Sequence, residues 1–211
     1  MRFIQSLLLT LATVLAFPTF AAEPQEGKDY VVINPAVPTD SPGKVEVTEF
    51  FWYGCSHCYH FEPTFNQWAK KQGKDVVIRY IPAPLNPVWT PGAKLYYTLD
   101  LMGVQDKLRG DIFAAIHTER QLSPNDERGF ATWVAKKGVD ATKFGELYNS
   151  FSVQSKVQRA NQLSNSHKID GTPSVIINGK YRILEPAGMA PDQFMQVADA
   201  LIAKARKESG K

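Results

Sequence analysis

Two cysteines, Cys55 and Cys58, are the only ones in 211 residues, and their position constrains this chain more than any other feature. They stand where an apolar run, Val45 to Tyr53, gives way to a helical pattern, so a strand delivers two sulfurs to a helix N-terminus. The unpaired N–H groups and the positive dipole end of a first helical turn favour an anion, which predicts that Cys55 ionises below the range of a free thiol. His57, between the sulfurs, offers a ring that can be protonated or donate a hydrogen bond, favouring the same thiolate. Such a pair is poised for thiol–disulfide exchange.

Blander roles fit the pair less well. As a staple, a loop of about four residues gives only roughly 2 kcal/mol before strain is subtracted. As a zinc site, Cys55, His57, Cys58 and His60 crowd four ligands into six residues, whereas tetrahedral sites draw their pairs from separated segments. Two inert buried thiols conflict with the position at a strand–helix boundary and with the export signal at the N-terminus.

Residues 1–21 read as a secretory signal peptide. Arg2 supplies the positive end, Phe3 to Phe17 the apolar core, and Thr19-Phe20-Ala21 the small residues before cleavage, expected after Ala21. The run is shorter than the roughly 20 residues that a membrane span needs. Removing 21 of 211 residues leaves 190 and, with Arg2 gone, 23 bases against 21 acids. A charge of +2 is too small for a nucleic-acid binder, and 190 residues support a core that needs no disulfide staple. An exported protein with so large a core and only a C-x-x-C pair is expected to use it for chemistry.

The remaining pattern gives an α/β chain. Tyr30 to Ile33 is a candidate edge strand, and Val45 to Tyr53 a central one with Val45, Val47, Glu49, Phe51 and Tyr53 on one face. Glu49 is the misfit on that face: it lies either at the rim of the sheet or buried beneath the cysteines, where it would exchange a proton with the second thiol. A helix kinked at Pro63 and ending near Gly73 leads to a strand over 76–81, making a strand–helix–strand crossover. Residues 88–168 show no strand pattern. Helix starts fall at Thr90-Pro91, at Val104, at Ser123 with Pro124 as first helical residue, at Asp140 and at Ser152. After Gly171-Thr172-Pro173, a strand over 174–177, the hairpin turn Asn178-Gly179, a return strand over 180–184 and a last helix from Pro191 follow. The expected organisation is therefore an α/β domain over 22–87 and 169–211 with an all-helical insertion over 88–168. His117, His167 and His60 read as ordinary surface or packing residues.

The run Glu49-Phe50-Phe51-Trp52-Tyr53-Gly54-Cys55-Ser56-His57-Cys58-Tyr59-His60-Phe61-Glu62, with Gly171-Thr172-Pro173 and Asn178-Gly179-Lys180-Tyr181 downstream, resembles the DsbA family of periplasmic thiol:disulfide oxidoreductases. The resemblance covers essentially the whole chain after the leader. It implies a thioredoxin-like fold, a mixed sheet flanked by helices and interrupted by a helical domain, and a protein disulfide oxidase. It also implies no cofactor beyond the Cys55–Cys58 disulfide, reduced exported proteins as clients, and a DsbB-like membrane quinone-linked reoxidant; a monomer is the simplest assembly. In that family's pattern Cys55 matches the exposed nucleophile, Cys58 the buried resolving thiol, His57 the thiolate stabiliser and Pro173 a cis-proline facing the disulfide. A cis bond there would present the Thr172 backbone to an extended client strand.

The resemblance also tilts Glu49 toward burial and places Glu62 and Arg79 near the site. Ser56 departs from the pattern, which has Pro between the first Cys and the His in its best-known members; serine restores an N–H and adds a hydroxyl, two further donors toward Cys55. The alternatives carried forward are a reductase or isomerase on the same fold, and a non-enzymatic zinc- or peptide-binding module.

Overall fold

The computed structural model describes residues 23–210; the expected signal peptide and its cleavage after Ala21 lie outside the described residues. Its organising element is a strand, β2 (Val45–Phe51), in which all seven residues are buried. A strand apolar on both faces needs a neighbour at each edge and cover on each side. β2 pairs in parallel with β3 (Val76–Pro82) at one edge and antiparallel with β4 (Ser174–Ile177) at the other. β5 (Tyr181–Ile183) continues antiparallel beside β4, and β1 (Tyr30–Val32) closes that side, giving the order β1-β5-β4-β2-β3.

Helix α1 (Ser56–Ala69) connects β2 to β3 and packs Phe61, Phe65 and Trp68 against Val45, Val47 and Val175. Helix α7 (Pro191–Glu208) covers the same face with Phe194, Val197, Ala198, Leu201 and Ile202. Between β3 and β4 run α2 (Thr90–Leu101), α3 (Gln105–His117), α4 (Glu127–Lys136), α5 (Ala141–Tyr148) and α6 (Phe151–Ser166). α2 to α5 share a second core of Leu95, Leu99, Ile112, Phe113, Phe130, Val134 and Phe144, into which Phe51 and Tyr53 at the end of β2 project together with Cys58. The opposite face of the sheet, with Phe50, Ile81 and Ile176, is covered by Ala160 of α6 and by Ile169. β2 thus passes from the core under α1 and α7 into the helical core, and Glu49 sits at the changeover.

Several expected boundaries shift for local reasons. α4 is capped by Asp126, whose carboxylate accepts from the Arg128 N–H at 3.1 Å, not by Ser123. Pro124 lies in the preceding turn. α6 is capped by Ser150, accepting from the Val153 N–H at 3.3 Å, rather than by Ser152. In each case an equally good capping side chain stands two or three residues away, and tertiary packing selects between them. α1 ends at Ala69, four residues before Gly73, and continues through Pro63. The Asn178-Gly179 turn has positive φ at both positions, +53° and +65°, as a two-residue hairpin of this hand requires.

Candidate active site: a cysteine pair at the start of α1

Cys55 is the N-cap of α1. Its backbone is extended (φ −85°, ψ 114°), so its side chain folds back over the first turn and the sulfur accepts the Cys58 N–H at 3.3 Å. Thr172 faces the same sulfur from across the fold: its carbonyl accepts from the thiol at 3.2 Å. The Thr172-Pro173 peptide bond is cis. The two segments, 117 residues apart in sequence, therefore meet at one sulfur atom.

The environments of the two sulfurs differ sharply. The Cys55 thiol is lowered from 9.0 to about 5, first by the hydrogen bond from Cys58, against the opposing effect of burial, and further by the side-chain hydroxyl of Thr172, a different atom from the carbonyl, and by the N–H groups of Cys58 and His57. Cys58 is wholly buried, and its thiol is pushed far above the ordinary range by burial first, then by donating its proton toward Cys55 and by the charge of Glu49. The surroundings favour the thiolate at the reachable sulfur and the proton on the shielded one.

The expected supporting residues sort differently from their sequence pattern. Glu49 is fully buried, and burial raises its carboxyl to about 8 against the opposing Arg109 charge. Glu62 is also buried and accepts from Arg109 Nε at 2.6 Å and from Asn66 Nδ2 at 2.7 Å. Arg79 is not part of this site. It pairs in register with Thr48, which alternation puts on the face opposite Glu49, and it bonds instead to Asp40 at 2.7 Å and Glu46 at 3.3 Å.

The cation that meets Glu49 is Arg109 of α3, whose Nη2 donates to Glu49 Oε2 at 3.0 Å. Sequence reading passed over it, although Gln105, Leu108, Arg109, Ile112 and Phe113 form the buried stripe of α3 and an arginine on such a stripe demands an acid.

His57 is exposed, and its ring makes no hydrogen bond among the described residues; its backbone N–H is what reaches Cys55. Ser56 is exposed as the first helical residue, and neither its N–H nor its hydroxyl is among the donors that lower Cys55. His117 has more of a role than its sequence context suggested. Its ring stacks on Tyr59 with centroids 5.0 Å apart, and its Nε2 lies 2.8 Å from the Tyr53 carbonyl, tying α3 to the residue two before Cys55. Trp52 stacks on Trp89 at 4.5 Å and covers Gly54 so closely that a side chain at 54 would overlap the indole. Among the described residues no three His, Cys, Asp or Glu side chains converge as a metal site.

An accessible thiolate paired with a shielded, protonated thiol at the start of a helix, on a mixed sheet covered by helices, defines a thiol:disulfide oxidoreductase of the thioredoxin class. The chain belongs to the DsbA-like thioredoxin family: the model of the DSBA-like thioredoxin domain matches residues 46–201. The thiol:disulfide interchange protein DsbA of Pseudomonas aeruginosa is 36% identical over 204 residues, covering 97% of this chain and 96% of the relative. That of Bordetella pertussis is 42% identical over 198 residues, covering 93% and 92%. The crystal structure of Pseudomonas aeruginosa DsbA superposes with a TM-score of 0.82 at 38% identity, over 88% of this chain and 96% of that one. The oxidoreductase DsbA of Xylella fastidiosa does so with a TM-score of 0.82 at 30% identity, over 88% and 100%.

Proposed function

We propose that this protein is a periplasmic dithiol oxidase that passes a Cys55–Cys58 disulfide to reduced, newly exported proteins. The observation that carries this direction of transfer is the stabilised Cys55 thiolate. Whatever favours that thiolate favours the reduced enzyme, so its disulfide is the stronger oxidant and Cys55 the better leaving group. A client thiolate attacks Cys55 Sγ; the Cys55–Cys58 bond breaks and Cys58 takes up a proton. A second client thiolate then attacks the client sulfur of the mixed disulfide, the client's own disulfide forms, and Cys55 departs as a thiolate. The client loses two electrons and the enzyme gains them.

Glu49 is the proton partner in this reading. It acts electrostatically on Cys58, and its Oε1 is buried with no hydrogen-bond partner among the described residues. Thr172, in contact with the Cys55 sulfur, marks where an extended client strand would pair through its main chain, beside Pro173. A membrane quinone-linked partner of the DsbB type would restore the disulfide, and the leader over 1–21 would deliver the protein to the periplasm.

Equilibrating the mature protein with glutathione buffers tests the direction, since a two-electron couple shifts tenfold per about 30 mV. A pair that stays reduced until the buffer is strongly oxidising is the expected result. A pair already oxidised in reducing buffer would overturn the oxidase reading in favour of a reductase.

A further inference from the structure

Three ionisable side chains from three elements meet behind the cysteine helix. Glu49 of β2, Glu62 of α1 and Arg109 of α3 are all at least nine-tenths buried. Arg109 donates to Glu49 at 3.0 Å through Nη2 and to Glu62 at 2.6 Å through Nε. Its guanidinium lies between two aromatic faces, 4.0 Å from the ring centre of Phe51 and 4.0 Å from that of Tyr80. The sandwich fixes the plane of the guanidinium, and the two forked bonds fix both carboxyls against it.

The charge of this cluster does not balance. Two carboxylates and one guanidinium sum to −1 in a dry environment, a state that burial strongly disfavours, so the cluster tends to hold one proton. Three of its atoms, Glu49 Oε1, Glu62 Oε2 and Arg109 Nη1, are buried with no hydrogen-bond partner among the described residues. Of these, Glu49 Oε1 is a carboxyl oxygen left open to a proton, while Oε2 of the same carboxyl is held by Arg109.

We propose that Arg109 is a positioning residue of the exchange reaction: it clamps Glu49 against Glu62 so that Glu49 Oε1 takes the Cys58 proton when the ring closes and returns it when the ring opens. This rests on the reading of Glu49 as proton partner given above. In ring closure the Cys58 S–H bond breaks, the proton passes to Glu49, and the Cys58 thiolate attacks Cys55 Sγ in the mixed disulfide; the departing partner leaves as a thiolate. The cation belongs to α3, so the helical segment between β3 and β4 takes part in the redox chemistry.

The charged and titratable groups facing Glu49 come from each element packed on it. α3 contributes Arg109, α1 contributes Glu62 and Cys58, and its N-cap contributes Cys55. Glu49 in turn acts on Tyr80 of β3 and Tyr96 of α2, as does Arg109, and Asp106 of α3 acts on Tyr96. Arg109 is the sole cation acting on Glu49 in this set, and it opposes the effect of burial.

The test uses the mature protein carrying Arg109→Met, Arg109→Lys, Glu49→Gln or Arg109→Met with Glu49→Gln. One readout is the infrared carbonyl band of protonated Glu49, assigned by its loss in Glu49→Gln and titrated with pH. The other is the pH profile for release of glutathione from a Cys55–glutathione mixed disulfide by Cys58. Removing a cation in direct contact should raise both midpoints by about one to three pH units in Arg109→Met, with partial return in Arg109→Lys. The double variant should follow Glu49→Gln alone.

If Arg109→Met does not fold, Arg109→Gln, which removes the charge and keeps donors, decides in its place. Unchanged midpoints with a lowered Tm mean that Arg109 only packs, and the proposal fails. A release profile unaltered by Glu49→Gln shows that the proton goes elsewhere, which overturns the Glu49 reading and this proposal together.

Discussion

Lowering the pH should weaken the reduced protein by withdrawing the contribution of the Cys55 thiolate. Its folded-state thiol is lowered from 9.0 to about 5. A group with a depressed folded pKa contributes stability that is complete above the unfolded value and is lost as the pH falls through the folded one, here the window from 9 down to 5. At pH 7 the linkage relation gives about 2.7 kcal/mol, and at pH 5 about 0.4 kcal/mol. Cys55 is only partly buried, so solvent screening reduces the difference of about 2.3 kcal/mol by roughly half, to about 1 kcal/mol. Glu49 acts in the opposite sense. Its carboxyl is raised to about 8, so its contribution is present below the ordinary carboxyl range and is lost as the pH rises through 8.

Cys55→Ser keeps Glu49 and removes the thiol, so the difference between the two proteins reports on Cys55 together with its charge coupling to Glu49. Urea unfolding of the reduced wild type and of Cys55→Ser at pH 5 and pH 7 should show the wild type gaining about 1 kcal/mol more than the variant over that interval. Parallel curves would refute the stabilised thiolate, and with it the physical basis for a strongly oxidising disulfide.

Cys58→Ser removes the shielded resolving thiol and leaves the nucleophile, so incubation with a reduced client and an oxidant should accumulate the Cys55 mixed disulfide, read on a non-reducing gel or by mass; free client as the sole product would contradict the assigned roles. Because His57 reaches Cys55 through its backbone N–H, His57→Ala should move the thiolate absorbance titration of Cys55 less than His57→Pro, which lacks that donor. A larger shift in His57→Ala would show that the ring carries the effect. Gly179 has φ +65°, and a Cβ there would overlap the Val37 carbonyl oxygen, so Gly179→Ala should lower stability by more than about 1 kcal/mol in urea without changing the Cys55 titration.

The division between what was legible in the sequence and what was not follows the range of the interactions involved. The cysteine pair at a strand–helix boundary, the two-residue hairpin turn, the crossover from β2 to β3 and the helices between β3 and β4 are carried by neighbouring residues. A side-chain period or a turn dipeptide records such features directly. The low Cys55 pKa was foreseeable for the same reason, since a helix N-terminus is a local structure. The partners of buried charge were not. Glu49 announced itself as a carboxylate on an apolar face, but whether it lay at the rim or in the core depended on cover supplied from elsewhere in the chain.

Arg79 and Arg109 both stood ready to meet Glu49. Alternation along β3 turned Arg79 to the opposite face, toward Glu46 and Asp40, while the packing of α3 on α1 brought Arg109 onto Glu49 and Glu62. The contact between Cys55 and Thr172 likewise exists only because β4 lies beside β2. The sequence by itself determined that the two cysteines stand at a helix start, and the local frame that favours a thiolate at Cys55. Only the tertiary structure decided which distant groups tune them, because burial and Coulomb interaction depend on distance in space, and separation along the chain does not record it.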